Sequence, residues 1–437
     1  MTSSNRRVVI TGLGLISPLG HCATSLWEAL VAGTSGVRPI QAIPMGHFQA
    51  EFGGECQDFT ADIANFGTLE KKLQRSIKKG MKLMCRDIQL GVAAAQLALA
   101  DSGLEPGSFD PTRIGTVFGS DYIMTSPGEF AAGIQKCMPN SDFDFSHWGE
   151  NGISQVEPLW LLKYLPNMPA SHVAIYNDLR GPSNSLTMRE ASANLAIAEA
   201  TTIIQRGNAD LMIAGATGSR IHPLRAVHLA LQEQLADCNT DAAGGDPAKA
   251  CRPFDSNRNG AVLGEGSGIV VLESHESATA RNATIYGEIA GYGSSSVANI
   301  QGVADYQSAI TNSILGALET SRLDPSQIGH VHAHGSSGYR CDEEEAKAIS
   351  KTLGQVPVTA AKSYFGNLGA GSGVVELVAS LFAMKNQKLF PILNCDDPDS
   401  NCPINVVHSW AQSPGNSFIN LNVTPVGQAS SVVVKAA

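Results

Sequence analysis

The chain carries one short motif twice, and this constrains its fold more than any other feature of the sequence. Asp110-Pro111-Thr112-Arg113-Ile114-Gly115 returns as Asp324-Pro325-Ser326-Gln327-Ile328-Gly329. In both places an Ala/Leu-rich helical stretch precedes the motif, and a short apolar segment ending in Gly-Ser follows it. Self-similarity of this kind predicts two related halves, each read as helix, turn and buried strand (115–119 and 329–333). That alternation is the pattern of stacked α/β layers. The halves are placed at 1–282 and 283–437, the first opening on Arg7-Val8-Val9-Ile10-Thr11-Gly12 and the second on a similar run at 284–293.

The 437 residues exceed the roughly 150 expected of a single domain. With 43% hydrophobic and 16% charged side chains, the composition is that of a folded globule and excludes disorder or collagen-like order. A net charge of -10 leaves no general attraction for nucleic acid or an anionic membrane, so any acidic partner must meet a local basic patch. Nine cysteines, an odd number without a Cys-x-x-Cys pair, argue against a disulfide scaffold or zinc ribbon. The apolar run near the start is broken at Thr11 and Gly12, and no window reaches the roughly 18 apolar residues of a membrane span. A reduced, cytoplasmic protein is expected. Gly12-Leu13-Gly14 is a fragment of a dinucleotide fingerprint, but it lacks the third glycine, and Ser17-Pro18 obstructs a helix start, so no cofactor site is read from it.

Two segments predict helices made almost wholly of small residues, one at 191–198 and one at 369–375. Helices of that composition bury their N-terminal ends against close neighbours, where backbone N–H groups favour negative charge. The first is fed by Gly181-Pro182-Ser183-Asn184-Ser185-Leu186-Thr187-Met188-Arg189-Glu190, a turn and an extended segment running straight into the helix, as in a nucleophile elbow. Glu190 stands at its tip. Spacing alone also fits a first-turn acid that complements the helix dipole and pairs with Arg189. His332 and His334 fall at a strand end before a Gly-Ser loop, a common place for a catalytic base. Two imidazoles at that spacing also suit a metal, but no third ligand follows, and no metal is expected. Lys362, directly after an apolar run at 356–361, calls for a buried partner, and Asp342 and Glu345 are the candidates.

Taken together, VVITGLGLISPLG (8–20), GPSNSLTMRE (181–190), RPFDSNRNGAVLGEGSGIVVLE (252–273), HAHGSSGYRCDEEEAKAI (332–349) and AAKSYFGNLGAGSGVVE (360–376) resemble the beta-ketoacyl carrier-protein synthases over nearly the whole chain. The resemblance implies a thiolase-like α/β fold, two related halves in a layered α-β-α-β-α core, with inserted segments in the first half. It implies a dimer, a homodimer or a heterodimer with a cysteine-bearing ketosynthase, and an acyl carrier protein as partner. The family's nucleophile falls in a Gly-Pro-Ser-x-Ser-x-x-Thr-Ala-Cys pattern, whose tenth position is Glu190. Its first catalytic histidine falls on His334, its lysine on Lys362, and its second histidine on Asn367. Its glycine-rich gate corresponds to Thr424-Pro425-Val426-Gly427-Gln428-Ala429, where Pro425 and Gly427 are candidate substrate contacts and proline stiffens the hinge.

A carboxylate in place of the thiolate forms no comparable acyl thioester and repels an approaching enolate. Condensation by this chain alone is therefore expected to be absent. Family members with glutamine at that position act as chain-length factors or decarboxylating loading domains, and glutamate resembles that theme. The alternative is a non-condensing enzyme, a malonyl-carrier decarboxylase or an acyltransferase, that uses His334, Asn367 and Glu190.

Residues 69–86 hold seven basic side chains against one acidic. At about 100° per residue, Lys71, Arg75, Lys78, Lys82 and Arg86 fall on one face of a continuous helix. A solvated surface accounts for such a stripe. The resemblance gives it the role of docking an acidic acyl carrier protein.

Overall fold

The structure, a computed structural model, describes residues 6–43, 51–105 and 107–437. Among the described residues thirteen strands form, in chain order: β1 (Val8–Ile16), β2 (Arg38–Pro39), β3 (Phe52–Gly53), β4 (Ile114–Ser120), β5 (Ser183–Thr187), β6 (Leu211–Ser219), β7 (Glu265–Ser274), β8 (Gly287–Ser296), β9 (His330–His332), β10 (Pro357–Thr359), β11 (Asn405–Val406), β12 (Ser417–Val423) and β13 (Gln428–Lys435). Eleven of them make one sheet in the order β11-β10-β9-β12-β13-β8-β1-β7-β6-β4-β5, while β2 and β3 pair separately. Counted outward from its middle, the sheet reads β1-β7-β6-β4-β5 in one direction and β8-β13-β12-β9-β10 in the other. The two series have the same form and meet at β1 and β8, joined antiparallel through Val8↔Ile289, Val9↔Glu288 and Ile10↔Gly287.

The repeated motif occupies the same place in each series. Asp110 accepts a hydrogen bond from Thr112 N–H (2.9 Å) and caps the short turn Pro111–Arg113, which enters β4. Asp324 accepts from the N–H of Gln327 through its backbone carbonyl (2.9 Å), capping Pro325–Gln327 ahead of β9. Proline suits the first position of such a turn because its missing N–H would be unpaired there.

The two small-residue helices, Ser192–Gln205 and Ser372–Asn386, form the middle layer, each packing on strands of both series. Their composition explains the packing. A Cβ on Gly373 would stand 2.8 Å from that of Ala193, so a side chain there would force the helices apart. Val374, Val375, Leu377 and Val378 are fully buried along the second helix, each contributing about 1.5–3 kcal/mol by leaving water. The helix Arg86–Asp101 covers β1, β6 and β7 from outside, and the helix Tyr306–Ser321 covers β8 and β13. A layered α-β-α-β-α arrangement results. Gly12 and Gly14 allow the first outer helix to approach, since a Cβ on Gly12 would meet the Ala98 carbonyl at 2.5 Å. The partial dinucleotide fingerprint is thus a packing feature. All nine cysteines are free thiols, and no helix among the described residues is long and apolar enough to cross a membrane.

Candidate functional site

The chain leaves β5, which pairs with β4 alone, and turns sharply into the first central helix. Arg189 holds the turn with a left-handed backbone (φ 51°), a conformation that costs a non-glycine residue about 1 kcal/mol or more. The Met188 N–H donates to Ser192 Oγ (2.8 Å), whose hydroxyl donates to the Ser120 carbonyl (2.9 Å). The second central helix starts in the same way, with Leu368 N–H donating to Ser372 Oγ (2.9 Å) and Gly369 at φ 61°. Glycine takes the strained position there; arginine takes it beside Glu190.

The side chain of Glu190 is 0% exposed and forms an ion pair with Arg220, also 0% exposed. Arg189, the partner anticipated from the sequence, lies farther off, with Nε 3.9 Å from the carboxylate. The same Nη2 of Arg220 that meets Glu190 is 3.4 Å from Glu233, and Arg189 approaches Glu233 at 3.5 Å and Asp121 at 3.8 Å. Asp121 pairs in turn with Arg225, which lies 3.4 Å from Asp87. Charges of alternating sign thus fill the ground around the elbow, a buried network in which removing one member strands the next. Burial lowers the Arg220 pKa from its ordinary value, and Glu233 opposes that shift. No motif marked Arg220, Arg225 or Glu233 in the sequence; the available signal was a pair of arginines in the apolar stretch around β6.

His334 follows β9. Its backbone N–H and that of Gly335 both donate to the Glu345 carboxyl group (2.6 and 2.9 Å). The residue is 3% exposed, and its buried Nδ1 has no hydrogen-bond partner among the described residues. Burial, then the charges of Lys362 and Arg220, hold the imidazole well below its usual range, so it is neutral at pH 7. It lines a pocket of about 320 Å³ shared with Glu233, Tyr306, Ser336, Cys341 and Pro425. His332 is engaged elsewhere, its Nδ1 bonded to Ser380 Oγ (2.9 Å) and its Nε2 accepting from Ala361 N–H (3.1 Å). Both of its nitrogens are therefore occupied, and no group of metal-ligating side chains occurs among the described residues.

Lys362 is fully buried, as its place after a strand implies, but its partner is not the one anticipated. Nζ pairs with Glu376 of the second central helix, whose other oxygen accepts from Asn422 Nδ2 (2.7 Å). Asp342 is occupied by Phe254 N–H (3.0 Å) and Ser336 Oγ (3.1 Å), and Glu345 by the loop after β9. Burial and the neighbouring Asp342 push Glu345 up to about 8. Asn367, 2% exposed, accepts through Oδ1 from Gly369 N–H (3.0 Å). Only its Nδ2 remains to hold a ligand oxygen.

Pro425 and Gly427 lie in the tight connection between β12 and β13. Gly427 N–H donates to Thr424 O (3.0 Å), Val297 N–H donates to Gly427 O (3.0 Å), and Tyr306 Oη donates to Pro425 O (2.9 Å). Gly427 has φ 80°, and a Cβ there would stand 2.5 Å from the Val297 carbonyl. Only Pro425 of the two borders the pocket.

The basic stripe requires a correction. The helix runs only over Lys71–Gly80, gives way to a tighter turn at Met81–Leu83, and a new helix begins at Arg86. Lys71, Arg75, Lys78 and Lys82 are exposed. Arg86 is turned inward, pairing with the buried Glu265 (2.6 Å) and donating to the Cys56 carbonyl (2.8 Å). The break in the helix changes its direction, and the buried carboxylate draws the guanidinium in.

Known proteins resemble this chain in sequence and in fold. Residues 5–278 match the family model for the beta-ketoacyl synthase N-terminal domain, and residues 286–396 match that for the C-terminal domain. The 3-oxoacyl-[acyl-carrier-protein] synthase 2 of Synechocystis is 33% identical over 407 residues, covering 92% of this chain and 91% of the relative. Among solved structures, the ishigamide ketosynthase/chain length factor aligns at a TM-score of 0.83 and 24% identity, covering 99% of this chain and 100% of that one. One chain of a structure described as a type II PKS acyl-carrier protein in complex with its ketosynthase bound to the hexaketide aligns at 0.81 and 25%, with the same coverage.

Proposed function

The chain belongs to the beta-ketoacyl synthase family, and from that premise we propose that it is a chain-length-factor-like subunit of type II fatty-acid or polyketide synthesis. In this reading it works with an acyl carrier protein and a cysteine-bearing ketosynthase, as a heterodimer, and condenses nothing alone. The single observation that carries it is the state of Glu190: a carboxylate at the elbow, wholly buried and ion-paired with Arg220. A group so held is neither a nucleophile for a thioester nor a free proton donor. The division into halves at 282 and 283, the cytoplasmic location and the absence of a cofactor belong to the same proposal.

The exposed cations Lys71, Arg75, Lys78 and Lys82 are the surface for the carrier protein in this reading. The pocket between His334 and Pro425 is where its acyl-bearing arm enters.

A second reading, a malonyl-carrier decarboxylase, has one observation in its favour. His334 is a neutral imidazole that lines the pocket, and a neutral imidazole donates a hydrogen bond to a thioester oxygen through its protonated nitrogen. Incubation of the purified chain with malonyl carrier protein, read by mass spectrometry, separates the two. Acetyl carrier protein that disappears in a His334→Ala variant supports the decarboxylase. No turnover alone, with product formed when a purified cysteine-bearing ketosynthase is added, supports the subunit.

A further inference from the structure

Residue 190, where the sequence places a carboxylate, is faced by a buried arginine, Arg220. We infer that Arg220 closes the passage between the His334 pocket and residue 190, so that a thiol restored at 190 stays out of reach of a thioester while Arg220 remains. The inference rests on residue 190 being the acceptor position of the functional reading above.

Arg220 stands between the buried residue 190 and a residue of the pocket wall, Glu233. Arg220 Nη2 meets Glu190, which has no exposure, and the same nitrogen lies 3.4 Å from Glu233, which lines the pocket. Glu233 is fixed from behind by Arg189 at 3.5 Å. The stem of Arg220 runs along Gly369, where a Cβ would stand 3.6 Å from its Cγ and Nε. Its backbone N–H is tied to the Gly264 carbonyl at 2.9 Å. In Glu190→Cys a thioester approaching from His334 would still have to displace a buried guanidinium that keeps the Glu233 carboxylate beside it, which the low dielectric around Arg220 opposes.

The test uses the full-length protein and a hexanoyl thioester of N-acetylcysteamine. In the step followed, the thiol sulfur at 190 attacks the thioester carbonyl; a new C–S bond forms, the old one breaks, and the thiol proton leaves on N-acetylcysteamine. Peptide mapping reads the acyl group at residue 190 and separates it from the nine native cysteines. The single variant Glu190→Cys is expected to acylate at least about ten-fold more slowly than Glu190→Cys/Arg220→Ala. The direction is diagnostic, because a neighbouring guanidinium lowers a thiol's pKa and speeds its chemistry. Slow acylation with arginine present therefore reports exclusion, not a weak nucleophile.

Equal rates in the single and double variants overturn the inference, as does a double variant that stays unlabelled. Should Glu190→Cys fail to fold, Glu190→Cys/Arg220→Lys replaces it. Lysine keeps a long cationic side chain facing Glu233, so slow acylation is again expected, and a rate equal to that of the alanine pair overturns the inference. Condensation by the unmodified chain would sink the functional reading and leave these relative rates as they are.

Discussion

Glu190 and Arg220 face each other in an ion pair from which solvent is wholly excluded, at the turn where β5 enters the first central helix. Neither charge is tolerable there alone. Arg220→Met is therefore expected to destabilise the fold by about 3–5 kcal/mol, the usual consequence of stranding one member of a buried pair. Glu190→Leu/Arg220→Met removes both charges and should lie well above the single variant, near the parent. Urea unfolding of the parent, both single variants and the double variant closes the cycle, and additive losses would contradict the pairing.

Stability should fall as pH rises from about 6.5 to 8, through Glu345. Its carboxyl is pushed from an ordinary 4.5 up to about 8 by burial, and then by Asp342. The folded state therefore holds a proton that the unfolded chain has already lost, and stability drains away as pH approaches the folded value, by at most about 1.4 kcal/mol per pH unit. The buried histidines, with lowered pKa values, act in the opposite sense only below about 6.5. Glu345→Gln should flatten the slope in that window in pH-stepped denaturation, even though the variant is less stable overall; an unchanged slope removes Glu345 as its source.

The connection between β12 and β13 should tolerate no side chain at Gly427. Alanine there meets both a left-handed backbone and the Val297 carbonyl, so Gly427→Ala is expected to cost about 1–3 kcal/mol. Thermal unfolding measures it, and a Tm unchanged from the parent would show that the turn is not held as described.

Carrier binding should separate two kinds of basic residue. Lys78→Glu/Lys82→Glu reverses exposed charges and is expected to weaken binding of acyl carrier protein about ten-fold at low salt, with the difference shrinking as salt screens it. Arg86→Ala should instead lower stability, since Glu265 loses its partner. Titration calorimetry at two salt concentrations reads the first and denaturation the second. Unchanged affinity of the charge-reversed protein at low salt removes the surface from the account.

Much of this was legible in the residues. The duplicated Asp-Pro motif marked the two turns before β4 and β9, because proline at a first turn position and aspartate before it act locally. The small-residue segments marked the central helices for the same kind of reason: composition decides how closely two helices approach. What escaped was pairing across the fold. Lys362 meets Glu376, not Asp342 or Glu345, because the choice among buried carboxylates is made by which helix packs over the lysine. Arg86 left the basic face because the helix stops at Gly80, and periodicity beyond a break predicts nothing. Arg220, which sits after β6 in no recognisable motif, acquires its meaning only when β6 is laid beside the elbow.

The central claim, that this chain accepts no acyl group by itself, is tested most directly by intact-mass measurement of the purified protein after incubation with acyl and malonyl carrier proteins. An unmodified chain is expected, with no β-keto product until a cysteine-bearing ketosynthase is added. A stable acyl adduct on this chain, together with an elongated β-keto product in the absence of any partner, would contradict it.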